Sequence, residues 1–173
     1  IKGRAHDVIT SRGLNHLGGD DFDTALVELV LTQSGLDVQR LSSRSLARLR
    51  LHCRDVKEAI NANTRKIYVE LGRCLDPEEL RRAGLAEDRV EVVKADEYEQ
   101  ACEPLIARTL ELVESAVPEG ISPNDLNSEV AGVYVVGGAS ALPAVARSLR
   151  NQYGRRVHRS PYPSAAIAIG LAI

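Results

Sequence analysis

The spacing of apolar residues predicts two amphipathic helices in the first half of the chain. In both segments apolar residues return every three or four positions, which places them on one face of a helix. The first helix is expected to be capped by Asp20 or Asp21 and to end near Gly35, and the second is expected to begin at Ser42 or Ser43. The two apolar faces consist of Phe22, Leu26, Leu29 and Val30 in the first helix and of Leu46, Leu49, Cys53, Val56 and Ile60 in the second.

Other patterns predict the elements of the remaining segments. Apolar and polar residues alternate over 66–71, and a second run at 90–93 is expected to pair with that strand. Between them, Asp76 precedes a proline and an acidic pair, which predicts a short helix that ends at Gly84. The other expected elements are strands over 5–12, 130–136 and 156–158, a long helix from Asp96 to about Ala116 that is kinked or interrupted at Pro104, and helices over 143–153 and from Ser164.

Composition narrows the classes of function. The 173 residues carry a net charge of −2, which gives no electrostatic footprint for nucleic acid or for an anionic membrane surface. Apolar runs stay far below the ~20 residues of a membrane span, and no secretory signal is visible. The three cysteines indicate reduced thiols in a cytoplasmic protein, and the histidines share no metal-ligand spacing with them. Because methionine is absent, even at position 1, we expect a piece of a longer protein.

Residues 133–143 contain the most informative motif of the chain. An apolar, β-branched run leads into Gly137 and Gly138 and then into the start of a helix. Glycines let the backbone turn tightly and approach a ligand closely, and a helix that follows directs free N–H groups at that ligand. The motif therefore indicates a nucleotide or phosphate site, although a plain tight turn between a strand and a helix has the same pattern.

Three motifs, in this order, resemble the second lobe of the nucleotide-binding domain in the heat-shock seventy-kilodalton chaperone family, part of the actin-like ATPase superfamily. The resemblance implies an α/β fold, an actin-like ATPase (ribonuclease H-like) lobe. It further implies a base subdomain at 1–17 and 96–173 and an inserted helical and β-hairpin subdomain at 18–95. The motifs are Leu17-Gly18-Gly19-Asp20-Asp21-Phe22-Asp23, Val136-Gly137-Gly138-Ala139-Ser140-Ala141-Leu142-Pro143, and Tyr162-Pro163-Ser164-Ala165-Ala166-Ile167-Ala168-Ile169-Gly170.

The second predicted helix resembles the helix that this family places against the adenosine of its nucleotide. Lys57 matches a family lysine, whereas Arg54, Glu58 and Asn61 stand where the family usually has Glu, Arg and Ser. Lys57 and Asn61 are one turn apart in a continuous helix, so both are expected to face a ribose. The alternative is that these polar residues form a solvated helix face.

The glycine motifs keep their backbone pattern but lose polar side chains. Gly19, Gly137 and Gly138 match the family, whereas Ala139 replaces Ser and Ser164 replaces a helix-starting Asp. Ala141 stands in place of an arginine that usually stacks over the adenine, and a methyl group cannot supply that contact. The acidic cluster Asp20, Asp21 and Asp23 invites a metal interpretation, but acids in a first helical turn also complement the helix dipole.

The resemblance implies ATP-driven binding and release of unfolded polypeptide by the parent protein, with ATP or ADP and magnesium as its ligands. Nucleotide-exchange factors of the family dock on the insert, here 18–95, and unfolded polypeptide binds to other domains. The phosphate loops, metal-positioning acids and catalytic lysine of the family are not found in this sequence, so the chain alone is not expected to hydrolyse ATP. The alternative function is a non-catalytic, chaperone-like regulatory or interaction module with a vestigial nucleotide site. The sugar-kinase branch of the superfamily fits less well, because the first motif is not its hallmark.

Overall fold

Helices and short strands alternate along the chain. The computed structural model describes residues 10–116, 131–163 and 165–172. Its helices are α1 (Gly19–Ser34), α2 (Ser43–Glu58), α3 (Leu71–Cys74), α4 (Pro77–Arg82), α5 (Ala95–Ser115), α6 (Pro143–Tyr153) and α7 (Ala166–Leu171). Its strands are β1 (Lys66–Glu70), β2 (Val90–Lys94), β3 (Val133–Val135) and β4 (Val157–Arg159).

The strands form two separate two-stranded sheets. β1 and β2 pair antiparallel, with Ile67 opposite Val93, which confirms the pairing predicted from the alternating pattern. β3 and β4 pair parallel, and α6 lies in the crossover between them. No strand in the described part of 18–95 pairs with β3 or β4, and the division into a base and an insert stays a prediction. Of the strand expected over 5–12, only the last three residues are described, and they have no regular structure.

Local capping chemistry determines where the first two helices begin and end. The cap of α1 is Gly18, and the expected caps Asp20 and Asp21 lie inside the first turn instead. The Asp21 carboxylate accepts a hydrogen bond from the Gly18 backbone N–H at 2.7 Å, so the acid stabilises the helix start from its third position. Gly35 ends α1 with φ at 69°, and Ser42 caps α2, both as predicted.

The long helix α5 runs without interruption through Pro104, so of the two expected effects of this proline the interruption is wrong and the kink stays a prediction. Pro104 lies on the exposed face of the helix, where water can hydrate the carbonyl that loses its N–H partner. No helix within the described ranges is long and apolar enough to cross a membrane.

One continuous apolar core joins the two halves of the chain. α1 packs against α2, α5 and β2, and its residues Leu26 and Val30 are fully buried. The Tyr98 hydroxyl of α5 donates a hydrogen bond to the backbone carbonyl of Phe22 at 3.1 Å. The core continues through Leu142 into α6 and reaches β4. This core holds the turn after β3 beside α1 and α2, which is the arrangement that creates the candidate site.

Candidate functional site

The turn after β3 is built by Gly137. Its φ of 89° lies in the left-handed region that favours glycine, and its N–H donates to the carbonyl of Pro163 at 2.8 Å. The Ser140 hydroxyl donates back to the Gly137 carbonyl at 2.6 Å. A 3-10 turn over Gly138–Ala141 separates the glycines from α6, which begins at Pro143. The glycine pair is therefore followed by this tighter turn and only then by the predicted helix.

Lys57 is buried and tied to the start of α1. Its side chain is 6% exposed, and its Nζ lies 2.5 Å from Oδ1 of Asp23, whose side chain is 11% exposed. The same Nζ donates to the Gly19 carbonyl at 3.2 Å. No hydrogen bond of good geometry reaches Asp23 Oδ1 in the described residues, so the contact is mainly a charge pair. The solvated-face alternative is therefore wrong for Lys57, whose charge is matched inside the protein.

Asp23 is the residue whose role sequence reasoning missed. The sequence places Asp23 with Asp20 and Asp21 in an acidic cluster that could complement the helix dipole or bind a metal. In the structure the Asp23 carboxylate pairs with Lys57, and the Asp21 carboxylate accepts a hydrogen bond from the Gly18 N–H at the helix cap. Within the described residues no group of three or more His, Cys, Asp or Glu side chains is placed to hold a metal ion. The helical spacing from Cys53 to Lys57 was the available signal, because it places the lysine on the buried face of α2.

A cavity of about 510 Å³ lies between this helix pair and the glycine turn. Asp20, Asp23 and Ile60 also line its helical side, and Leu142 and Pro163 line the side of the turn. Seven of the ten predicted site residues line it, namely Gly19, Arg54, Lys57, Glu58, Gly138, Ala139 and Ala141.

The remaining three predicted residues do not line this cavity. Gly137 shapes the adjacent turn, and Ser164 lies outside the described residues. Asn61 lies beyond the end of α2, where its N–H donates to the Thr64 hydroxyl and its side-chain oxygen accepts from the Asn63 N–H, both at 3.0 Å. Because α2 ends at Glu58, the helical spacing that was expected to align Asn61 with Lys57 does not extend that far.

Arg54 and Glu58 form the exposed polar rim of the cavity. Arg54 Nε lies 3.2 Å from Glu58 Oε1, one helical turn away, and this hydrogen bond raises the pKa of Arg54. Both side chains are more than half exposed, so the pair is free to rearrange around a ligand. The opposite wall is small, because Gly138, Ala139 and Ala141 carry at most one methyl group each. A flat ligand can therefore approach the backbone of this wall closely.

Comparison with known proteins identifies the class and the family of the chain. The described residues mix helices with short strands, and the match to a family model implies that the fold is that of an actin-like ATPase. A family model described as Hsp70 protein matches residues 2–173. The chain belongs to the Hsp70 family.

Curated relatives agree with this assignment. A heat shock cognate HSP70 protein of Trypanosoma brucei brucei is 30% identical over 181 residues, which cover 99% of this chain and 24% of the relative. A chaperone protein HscA homolog of Burkholderia multivorans is 30% identical, covering 96% of this chain and 25% of the relative. The HscA homolog of Variovorax paradoxus is also 30% identical, covering 96% of this chain and 24% of the relative. The chain thus spans about a quarter of the length of these relatives.

Proposed function

We propose that this chain forms the adenosine side of the ATP or ADP site in an Hsp70-type chaperone. The observation that carries the proposal is the cavity between α2 and the Gly138–Ala141 turn, because seven residues predicted from sequence line it together. In this role the small wall of Gly138, Ala139 and Ala141 receives the base or ribose. The exposed pair of Arg54 and Glu58 supplies polar contacts from the opposite side.

Lys57 takes a positioning role in this proposal. Its ammonium is matched by Asp23 and by the Gly19 carbonyl, so it fixes α2 against α1 rather than offering a free charge to the ligand. The lysine then shapes the cavity through the helices that it joins. Asn61 is outside this arrangement, because it closes the turn after α2 and lines a different cavity.

The chemistry of ATP hydrolysis is proposed to lie elsewhere in the parent protein. Within the described residues no acidic cluster is placed to hold magnesium, so the metal and the phosphates would be held by other parts of the full-length protein. We propose that the parent couples nucleotide turnover to the binding and release of unfolded polypeptide. The 18–95 segment is the proposed insert on which a nucleotide-exchange factor docks.

A vestigial nucleotide site in a non-catalytic module is the second candidate. It is favoured by the methyl group of Ala141, which stands where the family usually has an arginine, and by the internal neutralisation of Lys57. The two candidates differ in one measurable property, the affinity of the full-length protein for adenine nucleotides.

Gly138 offers a clean test of the site. A Cβ built at Gly138 meets no atom within 4 Å, so Gly138→Val is accommodated in the empty cavity and places its branched side chain where the ligand would lie. Gly137 is unsuitable, because its positive φ would strain any side chain. Gly13→Val is the matched control, since a Cβ there is also free of contacts and Gly13 lies outside the cavity and outside the three motifs.

Calorimetric titration of the full-length protein with ADP distinguishes the candidates. We expect Gly138→Val to lower ADP affinity by at least about tenfold, which corresponds to about 1.4 kcal/mol, with an unchanged thermal unfolding temperature. Gly13→Val should bind ADP like the unmodified protein. If the unmodified protein binds no adenine nucleotide at millimolar concentration, the vestigial module is the correct function.

A further inference from the structure

A second and larger cavity lies next to the cavity of the proposed nucleotide site. Its volume is about 880 Å³, which falls within the range of small-molecule sites in proteins. Ile60, Ala141 and Leu142 line both cavities and form the wall between them. The second cavity is bounded by the loop after α2, by the first turns of α5, by one face of α6 along most of its length and by β4. Nothing in the proposed nucleotide function uses this space.

The lining of this cavity is strongly basic. Its five cationic and two acidic side chains give a net charge of +3, although the whole chain carries −2. The acidic residues are Asp96 and Glu99, and the cationic residues are Arg65, Lys94, Arg147, Arg150 and Arg159. Such a concentration of one sign of charge in a concave site attracts anions. We call this space the basic cavity.

Within the described ranges, three of the five cations have no hydrogen-bond or ion-pair partner for their charged groups. Lys94 lies 2.8 Å from Glu97, and Arg147 lies 2.6 Å from Glu99. Among the residues that the structure describes, the guanidinium groups of Arg65, Arg150 and Arg159 form no hydrogen bond or ion pair. These three groups can donate bidentate hydrogen bonds to a phosphate, carboxylate or sulfonate without breaking an existing contact.

The floor of the basic cavity is apolar. The apolar side chains that line it and stay at least partly exposed are those of Ile60, Ala62, Ala95, Ala141, Pro143 and Ala144. Beneath them lie the buried side chains of Phe22, Tyr98, Cys102, Leu142 and Ala146. A bare inorganic anion would leave this apolar surface wet, whereas a ligand with an apolar body covers it and gains from its burial. The ligand that fits this lining therefore has both an apolar body, which covers the floor, and an anionic group, which accepts hydrogen bonds from the arginines.

We propose that the basic cavity binds a small organic anion, with its apolar body on the floor and its charged group on Arg150 and Arg159. The ligand bridges two parts of the fold, because Ile60 and Arg65 belong to the predicted insert and the two arginines belong to the predicted base. This site is separate from the proposed nucleotide site, and either can be correct without the other.

Two related fluorescent probes test this proposal on the full-length protein. 8-Anilinonaphthalene-1-sulfonate combines a flat apolar body with one negative charge, and N-phenyl-1-naphthylamine has a similar body without the charge. The double variant Arg150→Gln/Arg159→Gln removes the two proposed anion contacts at exposed positions, so the fold should be retained. Arg155→Gln is the control, because Arg155 is exposed in the same region but does not line the cavity.

We expect the anionic probe to bind about tenfold or more weakly to the double variant than to the unmodified protein. The Arg155→Gln control should keep the affinity, and the neutral probe should not respond to any of these changes. The double lysine variant Arg150→Lys/Arg159→Lys should bind the anionic probe with an affinity between those of the unmodified protein and the double glutamine variant, because lysine keeps the charge but cannot donate a bidentate pair. ADP affinity measured in parallel should be the same in all variants. The proposal is overturned if the double glutamine variant binds the anionic probe normally, or if its loss is matched by the neutral probe.

Discussion

Replacing Lys57 by methionine should destabilise the fold through the carboxylate that it leaves behind. Lys57→Met keeps a long, flexible side chain of similar shape but removes the ammonium, so Asp23 stays buried without its partner. Removing one partner of a buried ion pair costs about 3–5 kcal/mol. The Asp23 side chain retains 11% of its exposure and can be partly hydrated, so we expect the lower end, about 3 kcal/mol, to apply here.

The double variant Lys57→Met/Asp23→Leu separates the charge effect from the packing effect. It replaces both charges with apolar side chains of similar size in a buried position, a change that is often neutral or stabilising. We therefore expect its free energy of unfolding to lie within about 1 kcal/mol of the unmodified chain. Asp23→Leu should cost about as much as Lys57→Met, about 3 kcal/mol, because it leaves the buried ammonium unpaired. The two single changes and the double change then form a cycle with a coupling energy of about 5 kcal/mol.

Urea unfolding at pH 7, followed by circular dichroism and by tyrosine fluorescence, measures these free energies. Coincident transitions by the two probes are required, because the linear extrapolation assumes two states. Arg54→Met is the matched control on the same helix, since its exposed pair with Glu58 contributes little. If the effects of Lys57→Met and Asp23→Leu simply add in the double variant, the two residues do not act as a pair and the argument for a positioning role fails.

Two further predictions follow from single contacts. Burial raises the pKa of Glu79, but hydrogen bonds from the Ser45 side chain and from two backbone N–H groups outweigh it and lower the pKa from 4.5 to about 2. Because the folded pKa lies below the unfolded value, this stabilisation is complete above about pH 4.5 and is lost as the pH falls toward 2. Glu79→Gln should therefore flatten the acid limb of a plot of unfolding free energy against pH, and an unchanged acid limb would contradict this prediction. A Cβ at Gly72 would lie 2.1 Å from the Glu87 carbonyl oxygen, so Gly72→Ala should lower the unfolding temperature, whereas Gly13→Ala, free of such contacts, should not; equal unfolding temperatures would refute the clash.

Elements with a strong local signature could be predicted from sequence. The alternation at 66–71 and 90–93 predicted the β1–β2 hairpin, and the cap at Ser42 follows from the geometry of a helix start. α3 was missed, because its four residues are too few to show a helical period. The sequence predicted the long helix α5 but left open whether Pro104 kinks it or interrupts it, and the structure excludes the interruption. The proline lies on the exposed face of this continuous helix.

The candidate site, too, was predicted from the sequence only in part. The glycine turn and α2 carry recognisable motifs, and the cavity brings seven of the predicted residues together. Asn61 was misplaced because the prediction extended a helical period past the end of α2. The basic cavity was not predicted at all, since Arg65, Arg150 and Arg159 are far apart in sequence and meet only after the chain folds.

The pairing of Lys57 with Asp23 was nevertheless within reach of the sequence. Leu49, Cys53 and Lys57 follow one another at steps of four, so the lysine occupies a position on the buried stripe of α2. Asp23 precedes Leu26 by three positions and therefore lies on the buried face of α1. A buried charge requires a partner of opposite sign, and these two faces pack against each other. When an ionisable residue occupies an apolar position of one helix, its counter-charge should therefore be sought on the facing helix before a ligand is proposed to supply it.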